Sequence, residues 1–229
     1  FIPIMFYKSI DHTVASLSNN IGGNAQMFFD ISSRNIKHTH LYATMFIDEV
    51  HLSNITIPSK QTNFFSKKIG VKTTNLFIPN LTFCFEYTRT NPITYKHFLP
   101  TTTFESNQYN LGYYLRDNSE SIYFMTSYKP LSKALIKFEY TFNKKGPDYD
   151  YNGVQSNSPV KGLPFMKETI WSQKIFSVKT QYNLLNDFII YCQYIISNVT
   201  GNASNQKKYT PSLFYNNNNI ISLGIYTQF

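Results

Sequence analysis

Between Asn91 and Ser119 the chain gathers Tyr95, His97, Tyr109, Tyr113, Tyr114, Arg116 and Asp117. Aromatic faces stack on sugar rings, planar polar groups pair with hydroxyls, and a guanidinium adds attraction for an acidic sugar. Tyr95, His97, Tyr109, Tyr113, Arg116 and Asp117 are therefore candidate glycan-binding residues. The competing reading is that they pack the loop onto itself or form an aromatic girdle. Other combinations carry less chemistry. Asp11 and His12, in "SIDH", are adjacent and point apart in an extended chain, and no G-x-S-x-G nucleophile motif accompanies them. No catalytic residue is assigned, and a protein that is not an enzyme is expected. His38 and His40 share a strand face but lack a third ligand, so no metal site and no cofactor are expected. Cys84 and Cys192 lie far apart inside predicted strands and read as packing residues.

The elements that position these residues are strands. Phe and Tyr number 20 and 18, and charged residues are only 15% of the chain, against roughly 25% in an average protein. Asn is abundant and Ala scarce, which disfavours helices. Alternating segments are predicted at Asn24–Ser33, His38–Asp48, Asn63–Thr74, Asn80–Thr90, Glu120–Tyr128 and Lys133–Asn143, within Glu168–Tyr182 and Asp187–Asn198, and at Asn219–Phe229. Each has about the nine to eleven residues that a tilted strand needs to cross a bilayer core. Mean hydropathy is −0.29, and there is no run of eighteen apolar residues. A transmembrane barrel escapes both tests, because only alternate residues face lipid.

The connections sort into two classes. "RNIK", "NLFIP", "KPLS" and "NLLN" are short, whereas Glu49–Thr62, Asn91–Ser119, Lys144–Lys167 and Val199–Asn218 are long. Strict alternation of short and long connections predicts an all-β, antiparallel outer-membrane β-barrel in a bacterial cell. Asp30, Asp48, Glu86 and Glu139 fall on the polar face of their strands, with Lys137, and are candidate lumen-facing residues. A charge facing lipid at mid-membrane costs roughly 2–4 kcal/mol for Arg or Lys. Phe229 would sit in an interfacial aromatic girdle. Nine strands are an odd number and the chain opens on Phe1 without a signal peptide. The expectation is a single partial barrel domain over residues 1–229, the C-terminal portion of a larger barrel, forming an open half-cylinder with Asn219–Phe229 as one edge. The net charge of +8 is scattered and lies on no recognition helix. It therefore favours acidic polysaccharide or lipid headgroups over nucleic acid.

Five stretches in order, "FYKSIDH" (Phe6–His12), "HLYATMFIDEV" (His40–Val50), "FCFEYTRTNPITYKH" (Phe83–His97), "NLGYYLRDNSE" (Asn110–Glu120) and the closing "LGIYTQF", resemble the C-terminal half of capsule assembly proteins of the Wzi family. The resemblance implies half of an eighteen-stranded barrel that binds capsular polysaccharide and supports its assembly or attachment, without catalysis. Its partners would be capsular or other surface polysaccharide, outer-membrane lipid and lipopolysaccharide, with no nucleic acid. The alternative is a general porin or solute channel.

Overall fold

Pairing each strand with its neighbour in the chain converts period-two alternation into one sheet with two chemically different faces. A computed structural model describes residues 26–49, 56–57, 64–76, 78–97, 103–107, 109–149, 162–185 and 188–227. The strands are β1 (Met27–Ser33), β2 (Thr39–Glu49), β3 (Phe64–Thr74), β4 (Leu81–Thr90), β5 (Glu105–Ser106), β6 (Tyr109–Asn110), β7 (Ser119–Leu131), β8 (Ala134–Lys145), β9 (Trp171–Leu185), β10 (Phe188–Gly201) and β11 (Asn217–Thr227). A short helix, α1 (Ala203–Tyr209), precedes β11. Nine strands form a single antiparallel meander in the order β1-β2-β3-β4-β7-β8-β9-β10-β11, and β5 and β6 make a separate small hairpin. Among the described residues β1 pairs only with β2 and β11 only with β10, so the sheet is open at both edges. Residues 24–25, 228 and 229, assigned to edge strands from sequence, lie outside the described residues.

Register places the predicted apolar residues together. Phe29 faces Met45, Val71 faces Phe85, Phe85 faces Phe124, Phe138 faces Val178 and Cys192 faces Leu223. Residues of this face stand exposed on strands across the sheet, from Ile31 at 72% to Leu223 at 74%, with Val71, Ile122 and Val178 half-buried among them. Asp30, Glu86 and Glu139 lie on the opposite face, which buries Asp48, Ser66, Thr88, Ser121, Asn143 and Ser177. Apolar side chains out and polar side chains covered is the inverse of a water-soluble sheet. No helix among the described residues is long and apolar enough to cross a membrane.

Several sequence-based boundaries shift. "KPLS" and "NLLN" are largely strand, not turn. β7 runs through Leu131 with Pro130 inside a register shift, and β9 runs through Leu185, so the true connections are 132–133 and 186–187. Proline lacks an N–H for the ladder, which is why it falls at an irregularity. The Asn91–Ser119 and Val199–Asn218 connections also carry structure that alternation does not reveal, namely the β5–β6 hairpin and α1. Seven residues are too few to display a helical period. Their start is instead marked by Asn202, whose side chain accepts from the Asn205 N–H at 2.8 Å. The cysteines are free. Cys84 is buried on the polar face as a packing residue, but Cys192 is exposed on the apolar face and does not pack into a core.

Polar-face side chains bond across strands. The Tyr42 hydroxyl donates to Glu86, which also pairs with Lys68 at 3.5 Å. Tyr123 donates to Glu139 at 2.7 Å, and Lys137 pairs with the same carboxylate at 2.8 Å. Tyr42 lies over Gly70, its cross-strand partner, and Tyr191 lies likewise over Gly224. A Cβ at Gly70 would come 2.3 Å from the Tyr42 ring. Gly70→Val should therefore expel that ring and its bond to Glu86, costing roughly 1–3 kcal/mol in urea unfolding. Adding Tyr42→Ala should recover part of the loss, and a strictly additive double mutant would show that ring and glycine are not coupled.

Candidate functional site

The described parts of the 91–118, 146–170 and 202–216 connections meet at one end of the sheet, over its polar face. The 91–118 segment is anchored first by backbone: Asn91 N–H donates to Phe65 O at 3.0 Å and Asn118 N–H to Asn91 O at 3.2 Å. The Thr94 hydroxyl closes the turn onto Asn91 O at 2.8 Å. Tyr95 then drops onto the sheet, 5% exposed, with its hydroxyl bonded to Ser66 and Thr90. Its ring lies 5.3 Å from that of Phe46, and Phe46 stacks on Phe104 at 5.0 Å. Gly112 permits this, since a Cβ there would sit 2.3 Å from the Tyr95 ring. Tyr113 likewise bonds to Ser121 and Thr88. Burial pushes both phenols above their ordinary value.

Asn118 ties two connections together. Fully buried and at φ 49°, it occupies the left-handed region that Asn tolerates better than most residues. Its amide donates to Pro147 O at 2.8 Å and accepts the Met166 N–H at 2.9 Å, while its carbonyl accepts the Gly146 N–H at 2.8 Å. Asp148 makes a second junction. It receives Lys145 Nζ at 3.0 Å, Lys208 Nζ at 2.5 Å and the Tyr209 hydroxyl at 2.6 Å, fastening α1 to the end of β8.

These junctions enclose a cavity of about 520 Å³ lined by Lys96, Tyr114, Leu115, Arg116, Asp117, Lys145, Asp148, Trp171, Gln173, Lys208 and Tyr209. Four cations face two carboxylates, and three aromatic rings share the wall. The Arg116 guanidinium is exposed and has no ion-pair partner among the described residues. Trp171, the chain's single tryptophan, is 2% exposed and donates to Thr210 Oγ1 at 2.9 Å. Burial pushes the Asp117 carboxyl up to about 6, against the opposing pull of the Tyr95 N–H, which it accepts at 2.8 Å, and of Lys96 and Lys145. Burial would also raise Asp148, but Lys145, Lys208 and Tyr209 outweigh it and hold that carboxyl well below the usual carboxylate range. This lining suits a hydroxylated ligand of net negative charge.

Of the six residues singled out in the sequence as glycan-binding, the structure brings Arg116 and Asp117 to this cavity. Tyr95 and Tyr113 line a smaller, mainly apolar cavity of about 370 Å³ beside Phe28, Phe46 and Phe104. Tyr109 is exposed on β6, and His97 is half-buried and lines neither cavity. Of the polar-face carboxylates, Asp30 borders the smaller cavity. Glu86 and Glu139 lie in the cross-strand network, and Asp48 is buried beside the register shift that ends β2. Sequence reasoning missed Lys96, Lys145, Asp148, Trp171, Lys208 and Tyr209. Extending the strand parity would have found Lys145 and Trp171, but nothing local announces that Asp148 meets Lys208.

Comparison of the chain with protein-family models, with curated proteins and with solved structures returns no match.

The folded Asp117 value lies above the unfolded one. Between about pH 4 and about pH 6 the native state holds the extra proton, so stability falls as pH rises through that window. Asp148 acts oppositely, and its contribution is lost as pH falls below about 4. Asp117→Asn keeps an acceptor for Tyr95 and should flatten the pH 4–6 slope in urea midpoints. An unchanged slope would assign it to another group. Asn118→Ala removes two buried amide bonds and should cost about 2–3 kcal/mol by the same measurement.

Proposed function

We propose that this chain is the wall of a bacterial outer-membrane β-barrel, half of an eighteen-stranded barrel of the Wzi type. In this reading it binds surface polysaccharide at its loop-covered end and supports capsule assembly or attachment. The inverted faces of the sheet support the membrane setting, since lipid would cover the exposed apolar side and water the polar side. That β1 and β11 each pair on one side only among the described residues supports a larger barrel, because an open edge in lipid leaves backbone groups unsatisfied. Lumen-facing positions then fall to Asp30, Asp48, Glu86 and Glu139.

The observation that carries the polysaccharide reading is the basic, aromatic-walled cavity around Arg116. Its rings offer stacking surfaces and its cations offer partners for carboxylate or phosphate groups along a glycan. The aromatic residues Tyr95 and Tyr113 act one step back, fixing the loop that carries Arg116 and Asp117.

The experiment titrates the full-length protein with purified capsular polysaccharide and reads Trp171 fluorescence. Saturable binding is expected, weakened about tenfold or more by Arg116→Gln, the scale of a lost charged hydrogen bond. Reconstituted in a planar bilayer, the protein should conduct little. Large steady conductance with no fluorescence response would favour the porin reading instead.

A further inference from the structure

On four adjacent strands the apolar run stops in the same way. Two positions beyond its last apolar residue, toward the long connections, stands a charge: Arg89 after Tyr87, Glu120 after Ile122, Lys144 after Phe142 and Lys174 after Phe176. On the neighbouring β3 the same face carries Lys67 between Ile69 and Phe65. Pairing makes these one row. Lys67 lies opposite Arg89, Arg89 opposite Glu120 and Glu120 opposite Lys144, while Lys174 lies opposite Phe142, one step lower. The row continues with uncharged Asn198 on β10, opposite Lys174. The row crosses β3, β4, β7 and β8 without a step and drops by two residues at β9.

Among the described residues the row has a surplus of positive charge. Its one acid, Glu120, is engaged by Lys144 at 3.1 Å and by the Tyr87 hydroxyl at 3.2 Å. Lys67 and Arg89 are like charges directly across a strand pair, an arrangement that destabilises a sheet on its own. Lys144 and Lys174 both lean over the Phe142 ring, at 4.9 and 5.4 Å from its centroid. The Arg89 guanidinium lies 3.7 Å from the centre of the Phe165 ring. Lys174 is exposed, and the other three cations are partly so. An anion placed against this row would relieve the crowding. Directly beneath lie exposed Ile69, Phe85, Phe124 and Phe176, so the matching anion is one that carries an acyl chain.

We propose that Lys67, Arg89, Lys144 and Lys174 form a binding belt for the phosphate headgroups of acyl lipids in the outer leaflet, with the acyl chains lying on the apolar face. The belt rests on the membrane reading given above and is separate from the polysaccharide cavity, which lies on the other face. Cations near a charged membrane surface each strengthen association roughly fivefold. The lysine stems cover apolar surface while their ammonium groups reach the phosphates.

The test uses the full-length protein folded in an uncharged detergent, with native mass spectrometry counting retained lipid. Three probes are added: bis-phosphorylated lipid A, the same lipid without its phosphates, and inorganic phosphate. The phosphorylated lipid should be retained about tenfold better than the phosphate-free one, and Lys144→Gln with Lys174→Gln should remove that preference. Lys67→Gln with Arg89→Gln is the second variant should the first fail to fold. Lys129→Gln with Lys133→Gln, at the opposite end of the sheet, should change nothing. Equal retention of the two lipids, equal loss in the opposite-end variant, or inorganic phosphate held as tightly as the lipid would each overturn the belt. The belt variants should keep the Trp171 response to polysaccharide. Loss of that response in the unaltered protein counts against the cavity alone, and failure to insert into any bilayer removes the membrane reading together with the belt.

Discussion

Eight antiparallel ladders, each between strands adjacent in the sheet, hold the entire molecule to one parity. A slip of one residue in any ladder would carry a strand's Phe and Ile side chains to the polar face and its carboxylates to the apolar face. The sheet withstands its own irregularities because they sit at strand ends, between Ile47 and Glu49, between Tyr128 and Leu131 and between Phe188 and Ile189. In between, apolar mostly meets apolar from Phe29 on β1 to Ile225 on β11, with Thr126 between Phe83 and Phe138 and Thr180 opposite Ile136 as interruptions. Everything functional inherits this order. The polar side becomes the floor of the loop-built cavity, and the apolar side a continuous surface with a charged margin.

The loop end depends on a different kind of bond. There, few side chains repeat, and the structure is held by small polar groups saturating backbone carbonyls and amides: Thr94 on Asn91 and Phe65, Asn118 on Pro147 and Met166, Asp117 on Tyr95. Aromatic residues fill the remainder, in the Phe28–Phe46–Phe104–Tyr95 group and around Trp171, Leu115 and Val199. A loop so fixed presents its charges at defined places. This is how Arg116 comes to stand exposed on a wall while its neighbour Asp117 is 3% exposed.

The sheet was legible because its signal repeats every two residues over ten or more positions. Phe83, Phe85, Ile136, Phe138, Leu223 and Ile225 share one face, and Asp30, Glu86 and Glu139 the other, as alternation alone predicts. Strand ends were less legible, since a polar or prolyl residue near a turn still pairs when the ladder can tolerate a shift, as at Pro130. The cavity was legible only in its Arg116–Asp117 corner. Its other walls come from Lys145, Asp148, Trp171 and Lys208, brought together by meeting strand ends and by one short helix, and no spacing in the chain encodes that meeting. The tyrosines of the same loop carry a chemical type suited to a sugar, yet Tyr95 and Tyr113 spend it on Ser66, Thr90, Ser121 and Thr88.

The meander also has a kinetic side. Because every strand pairs with its chain neighbours, each ladder can zip outward from its own turn, and the 132–133 and 186–187 connections demand almost no loop closure. The loop end is slower by construction. Asn118 must meet segments at 91, 147 and 166, and Asp148 must wait for Lys208, sixty positions later in the chain. The Asp148 contacts span β9, β10 and the turn after them, the longest loop closure in the cavity. The cavity is therefore the last part of this chain to acquire its shape, and the sheet beneath it is already assembled when it does.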